Sequence, residues 1–222
     1  YEILNRQDNI AAERVYAPWT DLEQELRERQ TPLFSLETRH ELSSFDLFGF
    51  SLQYEMIYSN VLNMLDLAGI PLWSKDRGED MPFIVGGGPC VYNVEPVADF
   101  FDFFIVGEGE EPILEVSNAL IAWKKYGRPG GRRGFLQRLL HQPRQRLVGG
   151  YGLGAAAQDA GVAALDAEAG GLDGHIGPAL VDHAEHADGH AHLAHADTAG
   201  LLLHAHDFAN DVGHGGQLLT AL

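Results

Sequence analysis

The sequence predicts an α/β protein, a parallel sheet with helices packed on both of its faces. Three observations carry that expectation. Apolar runs of strand length recur along the chain up to about residue 140, stretches with helical spacing separate them, and glycine-rich turns directly follow two of the runs. Strands that read as continuous apolar runs are buried on both sides, which is the signature of a parallel sheet rather than an antiparallel one.

Taken in order, residues 14–18 (RVYAP) form a short strand stopped by Pro18. Thr20 reads as the N-cap of a helix to about Arg29, with Asp21 and Glu23 in the first turn, where they complement the positive end of the dipole. Residues 45–52 (FDLFGFSL) are a second strand. Residues 54–68 place Ile57, Val61, Leu65 and Ala68 on one helical face, and Gly69 and Pro71 end that helix. Residues 82–85 are a third strand running into Gly86-Gly87-Gly88-Pro89, and residues 102–106 a fourth running into Gly107-Glu108-Gly109-Glu110. A helix follows over residues 112–126, with Lys124 and Lys125 in its last turn and Gly127 as its stop. Right-handed crossovers then make the sheet doubly wound, Rossmann- or flavodoxin-like, with flanking helices.

An open sheet of this kind presents ligands beyond the carboxyl ends of its strands. The unusual residues collect there: Ser51, Gln53 and Tyr54 after the second strand; Gly86, Gly87, Gly88 and Pro89 after the third; Gly107, Glu108, Gly109 and Glu110 after the fourth. Glycine lets a backbone approach a ligand closely and expose its N–H groups. The same glycines also suit a tight turn with no ligand, and acids at the start of a helix also serve its dipole. Neither reading is decided by the residues alone. No nucleotide-binding GxGxxG or GxxxxGK[ST] pattern is present. Cys90 reads as a small buried hydrophobe, with a reactive thiol as the alternative. The basic stretch 128–133 (RPGGRR) reads as a solvated linker before a helix at 135–140.

Composition divides the chain. Formal net charge is −17, from 15 Lys and Arg against 32 Asp and Glu, which argues against a nucleic-acid partner. No apolar run is long enough for a spanning helix, so no membrane partner is expected and the cytosol is the expected compartment. A single cysteine excludes an intrachain disulfide and any cluster held by three or four thiolates. From Leu147 onward there is no Lys or Arg, yet nine of the eleven histidines lie there among Ala, Gly and Asp. Residues 142–222 therefore read as a low-complexity extension, disordered or translated out of frame. Its run from Asp182 to His195 could ligate Zn²⁺, Ni²⁺ or Cu²⁺, since His186 and His190 would share one helical face. A metal-binding protein acting through this tail is one alternative function, and a small-ligand enzyme using the glycine loops is another.

Three stretches carry a family resemblance: residues 1–38 (YEILNRQDNIAAERVYAPWTDLEQELRERQTPLFSLET), 45–72 (FDLFGFSLQYEMIYSNVLNMLDLAGIPL) and 83–111 (FIVGGGPCVYNVEPVADFFDFFIVGEGEE). Residues 1–141 resemble the N-terminal region of uncharacterised bacterial radical S-adenosylmethionine (SAM) proteins, a region similar to a cobalamin-binding domain. The resemblance implies a flavodoxin-like accessory domain ahead of a radical SAM barrel. There a CxxxCxxC motif would hold a [4Fe–4S] cluster that cleaves S-adenosylmethionine. Against that pattern the chain is expected to be truncated: it starts inside the family's first helix with the first strand missing, and it has no CxxxCxxC motif. The missing barrel is then the expected partner, cobalamin a candidate ligand, and this chain by itself a holder with no catalytic residues assigned. An unfilled strand position predicts a loosely folded, poorly soluble chain.

Overall fold

In the computed structural model, the residues described are 1–140, 147–149 and 199–205. They form one six-stranded sheet with helices on both faces. A short α1 (Glu2–Asn5) leads into β1 (Ile10–Tyr16) and α2 (Thr20–Arg29). Then come β2 (Leu47–Ser51), α3 (Tyr58–Leu67), β3 (Phe83–Gly87) and β4 (Phe103–Ile105). The last elements are α4 (Glu110–Lys125), α5 (Gly131–Leu140), β5 (Leu147–Gly149) and β6 (Ala199–Ala205).

Strand order is β1-β6-β2-β3-β4-β5. The central trio β2, β3 and β4 is parallel, as the apolar runs require. The sheet as a whole is mixed, however, because β6 runs antiparallel to both β1 and β2, and β5 antiparallel to β4. That corrects the expectation of an all-parallel sheet. The position between β1 and β2 is filled by Ala199–Ala205, which belongs to the stretch that composition sets apart. It pairs over its full length with β1, from Ile10↔Ala205 to Tyr16↔Ala199.

Side chains along the strands alternate between the two faces of the sheet and build two cores. Val15, Phe48, Phe50, Ile84, Phe104 and Leu202 pack on the face covered by α2 and α3, with Leu26, Val61, Met64 and Leu65. Ile10, Ala12, Leu47, Phe83, Val85, Phe103, Ile105 and Leu203 pack on the other, against Leu4, Val116, Leu120, Trp123 and Phe135. Leu202 and Leu203 are fully buried, so β6 contributes one fully buried side chain to each core. A one-residue slip of this strand would exchange them.

Other expectations need adjustment at their edges. Thr20 is not the cap of α2; Trp19 is, with no side-chain capping bond, and Thr20 is the first helical residue. The first strand begins at Ile10 rather than Arg14, because Ile10 and Ala12 share the face over α4 and α5. The basic stretch before α5 is not a solvated linker throughout. The helix starts at Gly131, and Arg132 is buried beneath its first turn.

Candidate functional site at the carboxyl ends of the strands

The parallel strands run out into a cavity of about 380 Å³. β2 supplies Phe50 and Ser51, β3 supplies Val85 through Gly87 with Gly88 beyond, and the turn after β4 supplies Gly107 and Gly109. The walls are mostly apolar side chains and glycine backbone, and Arg14 of β1 is the one charged side chain among the described residues that line it.

Two of the three glycines in the floor must be glycines. Gly88 has φ +100, and a Cβ there would stand 2.9 Å from the Leu52 carbonyl oxygen. This crowding reflects how the turn is stitched down: the Leu52 amide donates to the Gly87 carbonyl at 2.6 Å, and the Cys90 amide to the Leu52 carbonyl at 3.0 Å. A Cβ on Gly86 would lie 2.5 Å from the Phe104 ring. At Gly87, by contrast, nothing lies within 4 Å of the Cβ position. Two of these glycines thus answer to packing, and the third leaves space.

Arg14 is held in place by Glu37, which accepts the Arg14 backbone amide and the Nε–H, each at 2.8 Å. Burial alone would push the Glu37 carboxyl up. The Arg14 amide and guanidinium outweigh it and hold the group below its ordinary value. The guanidinium also lies over the Tyr1 ring, 4.9 Å from its centroid. The cavity therefore offers a largely apolar enclosure, walled in part by glycine backbone, and an oriented cation.

Of the residues singled out in the sequence, Ser51, Gly86, Gly87, Gly88, Gly107 and Gly109 line the cavity. Gln53, Tyr54, Pro89, Glu108 and Glu110 are not among its lining residues. Gln53 instead donates from Nε2 to Ser51 Oγ at 2.7 Å. Tyr54 packs against the core, and Pro89 opens a short 3-10 turn. Glu110 stands in the first turn of α4, and Glu108 is exposed just before it. Cys90 is half-buried against the same core and hydrogen-bonds Tyr58; burial first, then this contact, pushes the Tyr58 phenol up to about 12. Sequence reasoning missed Arg14, Tyr16, Gly49 and Gly200, which line the same cavity. Gly200 and Leu201 lie in β6, and no local pattern announced their arrival between β1 and β2.

Comparison with known proteins decides the family. The description "Radical SAM proteins, N-terminal" matches residues 1–145. This chain belongs to the radical SAM proteins. An uncharacterized protein of Methanocaldococcus jannaschii is 36% identical over 97 residues, covering 41% of this chain and 20% of that protein. The chain thus spans about a fifth of the length of this curated relative. No solved structure matches it.

The iron–sulfur cluster associated with radical SAM chemistry does not fit the residues of this chain. Its single thiol, Cys90, is engaged with Tyr58, and among the described residues no group of three His, Cys, Asp or Glu side chains could hold a metal ion. The histidine run from Asp182 to His195 lies outside the described residues. No helix among the described residues is long and apolar enough to cross a membrane.

Proposed function

We propose that this chain is the accessory ligand-binding domain of a radical SAM protein, and that the cavity floored by Gly86, Gly87 and Gly88 is where it holds its ligand. One observation carries the reading: three parallel strands, two of them leading into glycine turns, end at one apolar cavity of about 380 Å³ that is lined by an oriented guanidinium. Such a site suits a flat, largely apolar molecule with a polar or anionic edge. The ring would lie against the peptide planes, and Arg14 would meet the edge. In the intact protein, S-adenosylmethionine cleavage at a [4Fe–4S] cluster would be the work of a separate barrel, and this domain would orient a ligand toward it.

Cobalamin is the more specific candidate. Among the described residues no histidine lines the cavity, so none of them would give cobalt an imidazole ligand. The glycine floor fits a planar organic base better than a metal centre. If bound, cobalamin would supply carbon-transfer or redox chemistry, while this chain's part would be to bind, orient and exclude water.

Equilibrium dialysis of the full chain with cobalamin, and separately with the free base dimethylbenzimidazole, tests the reading. Saturable binding of either that is abolished in Gly87→Leu supports it. Retention of neither, or binding unaffected by Gly87→Leu, overturns it.

A further inference from the structure

A second cavity, of about 220 Å³, lies at the opposite end of the sheet, by the amino ends of β3 and β4. Its centre is a buried charge cluster. Asp102, immediately before β4, accepts at Oδ2 from Arg77 at 3.1 Å, from Arg132 at 2.7 Å and from the Ile84 amide at 2.7 Å. Arg77 also donates to the carbonyls of Pro71, Leu72 and Phe100, and Arg132 to those of Met81 and Pro82. Two buried guanidiniums thus share one carboxylate, which leaves a positive charge uncompensated in the interior. Burial pushes the Arg77 guanidinium down, Asp102 pulls it back up, and Arg132 pushes it down again.

Two buried polar atoms of residues beside this cluster, Arg132 Nε and Ser74 Oγ, have no hydrogen-bond partner among the described residues. Both residues line the cavity. Unsatisfied buried groups are rare in folded proteins, and two at one place call for an ion or a water. Lys75 and Arg133 line the same cavity, so among the described residues its wall holds four cationic side chains against two carboxylates, in a chain of net charge −17. Glu79, the second carboxylate, is engaged with the start of α5, where its Oε2 accepts the Arg132 amide at 2.7 Å.

We propose that this cavity binds a phosphoryl group. The lining's excess of two positive charges matches a phosphate dianion. Arg132 Nε–H and the Ser74 hydroxyl donate to it from inside, and Lys75 and Arg133 close on it from the rim. The site is separate from the glycine cavity and independent of what that cavity holds.

Isothermal titration calorimetry of the full chain with inorganic phosphate, at constant ionic strength, is the test. One saturable site is expected, weakened at least tenfold in Lys75→Ala/Arg133→Ala and several-fold in Ser74→Ala. Neither substitution touches the Asp102 cluster, so both variants should melt where the parent does. Glu79→Gln, which removes a negative charge from the wall, should tighten binding. Should any variant melt early, phosphorus NMR line broadening on the parent chain, reversed by excess sulfate, provides the same reading without substitution. Displacement by glycerol 3-phosphate or by adenosine monophosphate supports the site and says which kind of carrier it accepts. Absence of saturable binding by the parent, as expected if a water satisfies both atoms, overturns the proposal. So does an affinity unchanged in the rim and Ser74 variants.

Discussion

At the carboxyl ends of the parallel strands the chain withholds side chains, whereas at the amino ends of β3 and β4 it crowds three buried charges together. The two ends share the same strands and differ in what they ask of them. The glycine end leaves space that Arg14 overlooks and ties its turn down through backbone hydrogen bonds. The charged end uses Asp102 to tie together β3, the approach to β4, the loop carrying Arg77 and the first turn of α5. One end has room for a ligand at little cost to the fold. The other holds the elements in register, and removing one partner leaves buried charges unpaired.

This contrast orders the expected effects of substitution. Asp102→Ala strands both guanidiniums and should cost about 3–5 kcal/mol in urea denaturation, enough to threaten folding. A loss below about 1 kcal/mol would mean that water already compensates the cluster. Leu202→Ala probes the strand that fills the β1–β2 position. With the side chain fully buried, the loss should be about 2–5 kcal/mol, and a negligible loss would mean that β6 is not seated there in solution.

The glycine end itself divides on the same logic. Gly86→Val meets the Phe104 ring and should lose about 1–3 kcal/mol, while Gly87→Leu enters open space and should stay within about 0.5 kcal/mol. Equal losses for the two would show that the floor is packed rather than open. The smallest effect belongs to pH. Because Glu37 titrates below its ordinary value in the folded chain, its contribution is present above the unfolded carboxyl value of 4.5 and is lost as pH falls through the lower folded one. Melting curves of the parent and Glu37→Gln should therefore differ at pH 7 and converge at low pH. A constant offset would remove Glu37 from the acid limb. The pair is partly exposed, so the difference at pH 7 should be small.

Much of this molecule was legible one segment at a time. The runs at Phe48 and Phe50, at Ile84 and at Phe104 announced buried parallel strands, and the turns beyond them were placed at one end of the sheet. Arg132 was not legible. In sequence it is one of several arginines in a glycine-rich turn, and only the arrival of Asp102 from thirty residues away makes its burial tolerable. Arg14 was equally silent, since its place at the cavity depends on Glu37 across the chain.

Periodicity and apolar runs determined the layered α/β class, the order of the first elements and the position of the glycine turns, because each rests on residues within one helix or strand. Tertiary structure alone decided that Ala199–Ala205 completes the sheet in the reverse direction. Its composition resembles its neighbours in the tail. What admits it is the gap between β1 and β2: paired backbone on both sides, a place where Gly200 can pass Phe48 and Val15, and two cores that each accept a leucine. Such complementarity exists between surfaces brought together by folding, and no reading of either surface by itself contains it.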